Sequence, residues 1–262
     1  SRSREINKAY LIYKKNKFIK NFKFKKIDLN KDINKLIKLI SKFKPSIIVN
    51  YAAQGMVAQS WENPEHWYMT NVVSQSIFYK KVSKFKFIKK LIHVTTPEVY
   101  GSSLKIIKEN YNFNPSTPYA ISRATLDTHL YKCYLNFRLP IIFTRTSNIY
   151  GPGQQLYRII PKAFMSFKKS IKLNLHGGGK SLRSFIFADD ASEATYLIFK
   201  KGKLGETYHI SDNKFITIKD LAKKISIMEK LSFSKSVRVE KDRVGKDHAY
   251  KLYSKKIRDL KW

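Results

Sequence analysis

The chain has 262 residues, and its 52 Lys and Arg outweigh 19 Asp and Glu for a formal net charge of +33. A hydrophobic content of 43%, with 17 Phe and 16 Tyr, excludes a disordered polyelectrolyte and points to a folded core. The one cysteine, Cys133, excludes an internal disulfide, no run of roughly 18 apolar residues spans a membrane, and the first residues lack an apolar signal core, so a cytoplasmic protein is expected.

In chain order, the β-branched run Ile47-Ile48-Val49-Asn50 after Pro45 predicts a buried strand. Helical spacing over residues 64–85 follows, then a second strand at Leu91-Ile92-His93-Val94. Pro115-Ser116-Thr117-Pro118 announces a helix over 118–137, and Leu139 to Thr144 predicts a third strand. Strands alternating with helices of this length predict an α/β fold with a doubly wound parallel sheet. Ligands of such sheets bind beyond the carboxyl ends of the strands. There stand Ala52-Ala53-Gln54, Thr95 to Gly101, and Ser147-Asn148.

Beyond Gly151 the loop signals GPGQQ and HGGGKS separate shorter, mixed segments. A boundary near 146–153 divides a cofactor domain (1–146) from a smaller α/β substrate domain (147–262), partly interleaved. The first glycine is Gly55, so no glycine-rich turn precedes a helix in the way a dinucleotide diphosphate requires. The expectation is a Rossmann-like sheet lacking its first strand and that turn, in a chain truncated at both ends that binds cofactor weakly.

The net charge invites a nucleic-acid reading. The lysines, however, are spread along the chain rather than gathered on one element, and they outnumber the arginines that read bases and phosphates by bidentate forks. Solvated lysine faces explain the charge better, and a basic surface also steers an anionic substrate. No His, Cys or carboxylate spacing suggests a metal site.

Tyr119 and Arg123 lie four apart at the start of the 118–137 helix and so share one face. A cation there favours the phenolate, as a general base needs. Thr96 and Glu98 add a hydroxyl and a carboxylate just past a strand end, before the turn glycine Gly101. Together with Ser147-Asn148-Ile149-Tyr150-Gly151-Pro152-Gly153-Gln154, this set resembles the extended short-chain dehydrogenase/reductase family, above all its nucleotide-sugar 4,6-dehydratases of the dTDP-glucose type. The resemblance covers most of the chain.

The resemblance implies NAD rather than NADP as cofactor and a nucleotide-diphosphate sugar as substrate. It implies catalytic roles for Thr96, Glu98, Tyr119 and Arg123. Tyr119 takes the 4-hydroxyl proton as hydride leaves C4, Thr96 orients the same oxygen, and Glu98 removes the C5 proton before water leaves C6. Asp28 and Leu29 resemble an adenine-contacting pair, and Ala52 and Ala53 cofactor-lining alanines, with Tyr119 and Arg123 also at the cofactor. Asn71 resembles a structural asparagine. Asn148, Arg158, Lys162, Arg183 and Arg243 are the expected substrate contacts, and helices near 64–85 and 118–137 resemble a homodimer interface.

Two residues depart from the pattern. Arg123 stands where the family has lysine, and Pro97 stands where the dTDP-glucose enzymes have an aspartic acid that protonates the leaving hydroxyl. A nucleotide-sugar 4-epimerase or a UDP-glucuronate decarboxylase-like enzyme is therefore the alternative. A non-catalytic, basic nucleic-acid-binding protein on the same scaffold is the remote one.

Overall fold

The computed structural model describes residue 2, residues 11–242, 244–245 and 247–262. Two short 3-10 turns, Ile12–Lys15 and Ile19–Asn21, lead to a turn in which Asp28 Oδ1 accepts from the Asn30 N–H (2.8 Å) and Asp32 Oδ2 accepts from the Asp28 N–H (2.9 Å). Helix α1 (Ile33–Phe43) follows and stops at Lys44, whose φ of 50° cannot continue it. Strand β1 is Ile47–Asn50.

The predicted helix over 64–85 is broken into α2 (Pro64–Tyr68), a π-helical segment (Met69–Ser74) and α3 (Gln75–Val82). The wider turn re-aims Asn71 inward, where it is fully buried. Strand β2 (Lys90–Thr95) and the short β3 (Ile106–Ile107) precede α4, Pro118–Phe137. Thr117 caps α4 by accepting from the Ala120 N–H at 3.1 Å, with Pro118 at the first helical position. The third predicted strand is β4, Ile141–Thr146, and β5 is Asn148–Tyr150.

The rest of the chain runs α5 (Ile159–Lys168), β6 (Leu173–His176), β7 (Leu182–Arg183), β8 (Phe185–Phe187), α6 (Ala188–Lys201) and β9 (Thr207–Ile210). It closes with β10 (Ile216–Thr217), α7 (Ile218–Met228), α8 (Phe233–Ser236), β11 (Val237–Glu240), β12 (Lys251–Leu252) and α9 (Lys255–Arg258).

The main sheet is parallel throughout, in the order β1-β2-β4-β9. Period-two alternation sends Leu91, Ile141 and Phe143 to one face, where they pack with Phe78, Leu126 and Leu130 from α3 and α4. Ile92 and Ile142 go to the other face, against Ala194 and Ile198 of α6 and Ile257 of α9. Helices on both faces of a parallel sheet make the doubly wound α/β class. The fourth strand, β9, comes from beyond residue 146. A separate core of Phe167, Leu173, Leu175, Ala222 and Ile225 belongs to α5, β6 and α7. Among the described residues β1 pairs with β2 alone. An open groove of about 640 Å³, lined by Val49, Tyr51, Thr195 and Tyr196 among others, runs beside it. No helix among the described residues is long and apolar enough to cross a membrane.

His93 on β2 and His209 on β9 are both fully buried, and burial holds each below the ordinary histidine pKa. The unfolded chain therefore binds protons that the fold refuses, so stability is retained above the unfolded value of about 6.5 and lost as pH falls below it. The urea midpoint is expected to drop between about pH 7.5 and about pH 5.5, and replacing His209 by Gln should flatten that slope.

Candidate active site

The site lies at the carboxyl ends of β2 and β4. Thr96 ends the extended run and caps the 3-10 turn Pro97–Tyr100, its hydroxyl accepting from the Glu98 N–H at 3.3 Å. Pro97 sits at the first position of that turn and is buried. Glu98 is half-buried. Gly101 closes the turn at φ 70°, and a Cβ there would lie 2.1 Å from the Asn114 carbonyl oxygen, so the approach of the two loops requires glycine.

Tyr119 enters from the first turn of α4, where its N–H donates to Ser60 Oγ at 3.2 Å. Burial pushes its phenol above the ordinary value; Arg123 pulls it back, Glu98 pushes it up, and a hydrogen bond with Thr96 and the charge of Arg158 lower it. Thr96, Glu98, Tyr119, Arg123 and Arg158 are thereby one electrostatic group.

Arg123 is almost fully buried. Its Nη2 donates to the Val94 carbonyl and stands 3.4 Å from His93 Nε2. Nε and Nη1 have no hydrogen-bond partner among the described residues. Beyond it on α4, Asp127 pairs with Arg145 of β4 at 2.9 Å, with neither side chain exposed. Burial works against the Asp127 charge, but His93, whose Nε2 approaches Oδ1 to 3.4 Å, and the charge of Arg145 win and hold the carboxyl below the usual range. Arg145 also donates to the Tyr100 hydroxyl at 2.7 Å and lies over the rings of Tyr100 and Phe113.

On the expected cofactor side, Ala52 and Ala53 are exposed beyond β1. Asn50 Oδ1 accepts from the Ala52 N–H at 3.0 Å, and Gln75 donates to the Ala52 carbonyl. Asn71 accepts from the Gln54 N–H and donates to the Gln54 carbonyl and to Ser122. Asn30 donates to Thr70, and Thr70 to Gln54, which ties the Asp28–Leu29 turn to this segment; Leu29 itself packs against the core. The unpartnered Arg123 donors and the exposed alanines fit the nicotinamide and ribose end of a dinucleotide. Among the described residues no glycine-rich turn precedes α1, where a dinucleotide diphosphate would sit.

On the substrate side, Asn148 is half-buried at the start of β5, while Arg158 and Lys162 are exposed at the start of α5. They flank an open apolar pocket of about 780 Å³ lined by Tyr150, Leu156, Ile160, Phe164 and Phe187. Arg183 is held by the carbonyls of Leu182, Asp247 and His248 and lies 4.6 Å over the Tyr250 ring. Arg243 lies outside the described residues.

Tyr250 has no counterpart in the sequence reading. It is buried beneath Arg183, and burial raises its pKa, with Arg183 lowering it and Glu98, Asp247 and Tyr119 raising it. It arrives because β12 pairs with β3, while Ser102 Oγ accepts from the N–H groups of His248 (3.0 Å) and Ala249 (3.4 Å). No local pattern around Tyr250 signals this. No group of three or more His, Cys, Asp or Glu residues that could hold a metal is found among the described residues.

The family model of GDP-mannose 4,6-dehydratase matches residues 1–262. The chain belongs to this family. It is 32% identical over 248 residues to human dTDP-D-glucose 4,6-dehydratase, covering 92% of this chain and 70% of that one. It is 28% identical over 261 residues to dTDP-glucose 4,6-dehydratase of Haemophilus influenzae, covering 91% and 77%. The Streptomyces venezuelae dTDP-glucose 4,6-dehydratase solved with NAD superposes with a TM-score of 0.85 at 29% identity, over 91% of this chain and 73% of that one. UDP-glucose 4-epimerase of Thermotoga maritima shares the fold, with a TM-score of 0.85 at 23% identity.

Replacing Gly101 by Ala should destabilise the chain by on the order of 1–3 kcal/mol, read by urea denaturation. It should also move the Glu98 turn away from Tyr119, so that turnover falls further than stability explains.

Proposed function

We propose that this chain is an NAD-dependent nucleotide-sugar 4,6-dehydratase in which Tyr119, Thr96 and Glu98 carry the chemistry. The observation that supports the reading is that the half-buried carboxylate of Glu98, the Thr96 hydroxyl that caps its turn and the Tyr119 phenol act on one another just past the end of β2. NAD, when bound, supplies the acceptor that takes hydride from C4 of the sugar and returns it to C6.

In this reading Tyr119 accepts the 4-hydroxyl proton, and Arg123 and Arg158 stabilise the phenolate. Thr96 holds the same oxygen in line. The 4-keto sugar has an acidic C5–H, and Glu98 is the base that takes it. Because Pro97 has no proton to give, Glu98 in its newly protonated form is the acid that delivers a proton to the departing 6-hydroxyl. One residue thus serves both halves of the elimination, and a solvent proton taken up again by Glu98 is delivered to C5 as hydride returns to C6.

Asp28, Leu29, Ala52 and Ala53 line the cofactor, with the Arg123 donors toward the ribose. The nucleoside base lies in the apolar pocket beside Arg158 and Lys162, and Asn148 and Arg183 hold the sugar and diphosphate. Exposed Tyr68, Met69, Val73, Ile77 and Ile121 on α2, α3, α4 and the π segment form an apolar surface suited to a homodimer.

Incubation with NAD and dTDP-, UDP-, GDP- and CDP-hexoses is expected to give a product lighter by one water from one of them. Loss of carbon dioxide from a uronic acid, or an unchanged mass with an inverted C4, would replace this reading by the decarboxylase or the epimerase. Glu98→Gln should slow dehydration by about 10²-fold or more while the C4 oxidation remains visible as reduced nicotinamide.

A further inference from the structure

The buried charges behind Tyr119 do not balance. On α4, Tyr119, Arg123 and Asp127 recur every four residues, so they form one inward stripe. Arg123 and Arg145 are both buried, and among the described residues Asp127 is the fully buried carboxylate that faces them from within the same core. Glu109, half-buried at the far end, accepts from the His209 N–H at 3.2 Å and lies on the Tyr100 side of Arg145. Arg145 holds Asp127 Oδ2 at 2.9 Å. The geometry that stops Arg123 from doing the same at Oδ1 is His93.

His93 Nε2 stands 3.4 Å from Arg123 Nη2 and 3.4 Å from Asp127 Oδ1. The ring is fixed from behind: Asn50 Nδ2 donates to the Tyr79 oxygen (3.1 Å), which leaves the phenol proton for His93 Nδ1 at 2.8 Å. The remaining ring proton then sits on Nε2, toward the carboxylate. Arg123, turned away, spends one donor on the Val94 carbonyl and leaves Nε and Nη1 unpartnered. A buried guanidinium with two idle donors is costly as a structural device. It is useful as a source of positive potential.

We propose that His93 is a positioning residue for the Tyr119 base: by standing between Arg123 and Asp127 it confines the carboxylate to Arg145 and leaves the Arg123 charge unmatched, one helical turn from Tyr119. The assignment rests on the reading of Tyr119 as the proton acceptor. The groups that face Tyr119 are Arg123 from its own helix, Thr96 and Glu98 from the turn after β2, Arg158 from the start of α5, and Tyr250 from the segment before β12. Those facing His93 are Tyr79, Arg123, Asp127 and Arg145. Burial keeps His93 neutral, so it adds no competing charge.

The test reads Tyr119 ionisation without requiring turnover. Tyrosinate absorbance is titrated in the full chain and in its Tyr119→Phe counterpart, and the difference reports the one phenol. His93→Ala should let Arg123 fold onto Asp127, raising the Tyr119 midpoint by roughly one pH unit. His93→Ser, which leaves room for water, serves in its place if the alanine variant does not fold, and the same rise is expected. His93→Gln keeps an amide between the two charges and should restore the original midpoint. In His93→Ala combined with Asp127→Asn the capturing carboxylate is gone, and the midpoint should return to or below its original value. A midpoint unmoved by both small substitutions, or a double variant as high as the single one, would overturn the proposal. If instead the shifts occur as stated but Tyr119→Phe leaves turnover unchanged, the positioning stands and the catalytic reading of Tyr119 falls.

Discussion

Asp127 and Arg145 meet at 2.9 Å without solvent on either side chain, and the architecture of the site hangs on that contact. The pair joins α4 to β4, and through the Tyr100 hydroxyl it joins both to the turn that carries Glu98. Tyr100 reaches on to His209 of β9 at 2.8 Å. In the other direction His93 and Tyr79 carry the hydrogen bonds to Asn50 at the end of β1. One polar chain therefore crosses all four strands of the sheet near their carboxyl ends. Each member is expensive to bury alone, and removing one would leave its neighbours unpaired. That cost fixes the relative depth of strand ends and helix start, which is what a site made from several separate elements needs.

Much of this was legible in the residues and part was not, for physical reasons. The strands at 90–95 and 141–146 announce themselves because parallel strands buried on both faces read as apolar, β-branched runs, whereas β1, expected to be buried, is an edge strand among the described residues, with Val49 exposed. The α4 start is equally plain, since Thr117 and Pro118 are the cap and first-turn residues that its end requires. Thr96, Glu98 and Tyr119 stand within a few residues of these element ends, but their roles were read from the family resemblance rather than from the boundaries. The π-helical segment escaped because its sequence keeps ordinary helical spacing; only Asn71, buried and bonded to Gln54 and Ser122, shows why the turn widens.

Tyr250 and His93 were missed for a different reason. His93 reads as one more strand residue, and its meaning comes from what α3 and α4 bring to either side of the ring. Tyr250 is carried in by the pairing of β12 with β3, across 145 residues of sequence, as Lys251 aligns with Ile106. Spacing along the chain reports neither contact. The departures that sequence did reveal, Arg123 and Pro97, gain a physical reading. Arg123 lies inside the protein behind Tyr119, with one donor on the Val94 carbonyl and Nε and Nη1 unpartnered among the described residues. Pro97 is a buried residue at the first position of the turn that carries Glu98, and it has no proton to give.

In the proposed reaction Glu98 removes the C5 proton of a sugar first oxidised at C4. Running the reaction with NAD and the accepted nucleotide sugar in deuterium oxide tests it most directly, with the product sugar read by NMR and mass. The expected result is a dehydrated 4-keto-6-deoxy product carrying deuterium at C5, and the loss of that label with Glu98→Gln. A product formed at full rate with the original hydrogen still at C5 would contradict it.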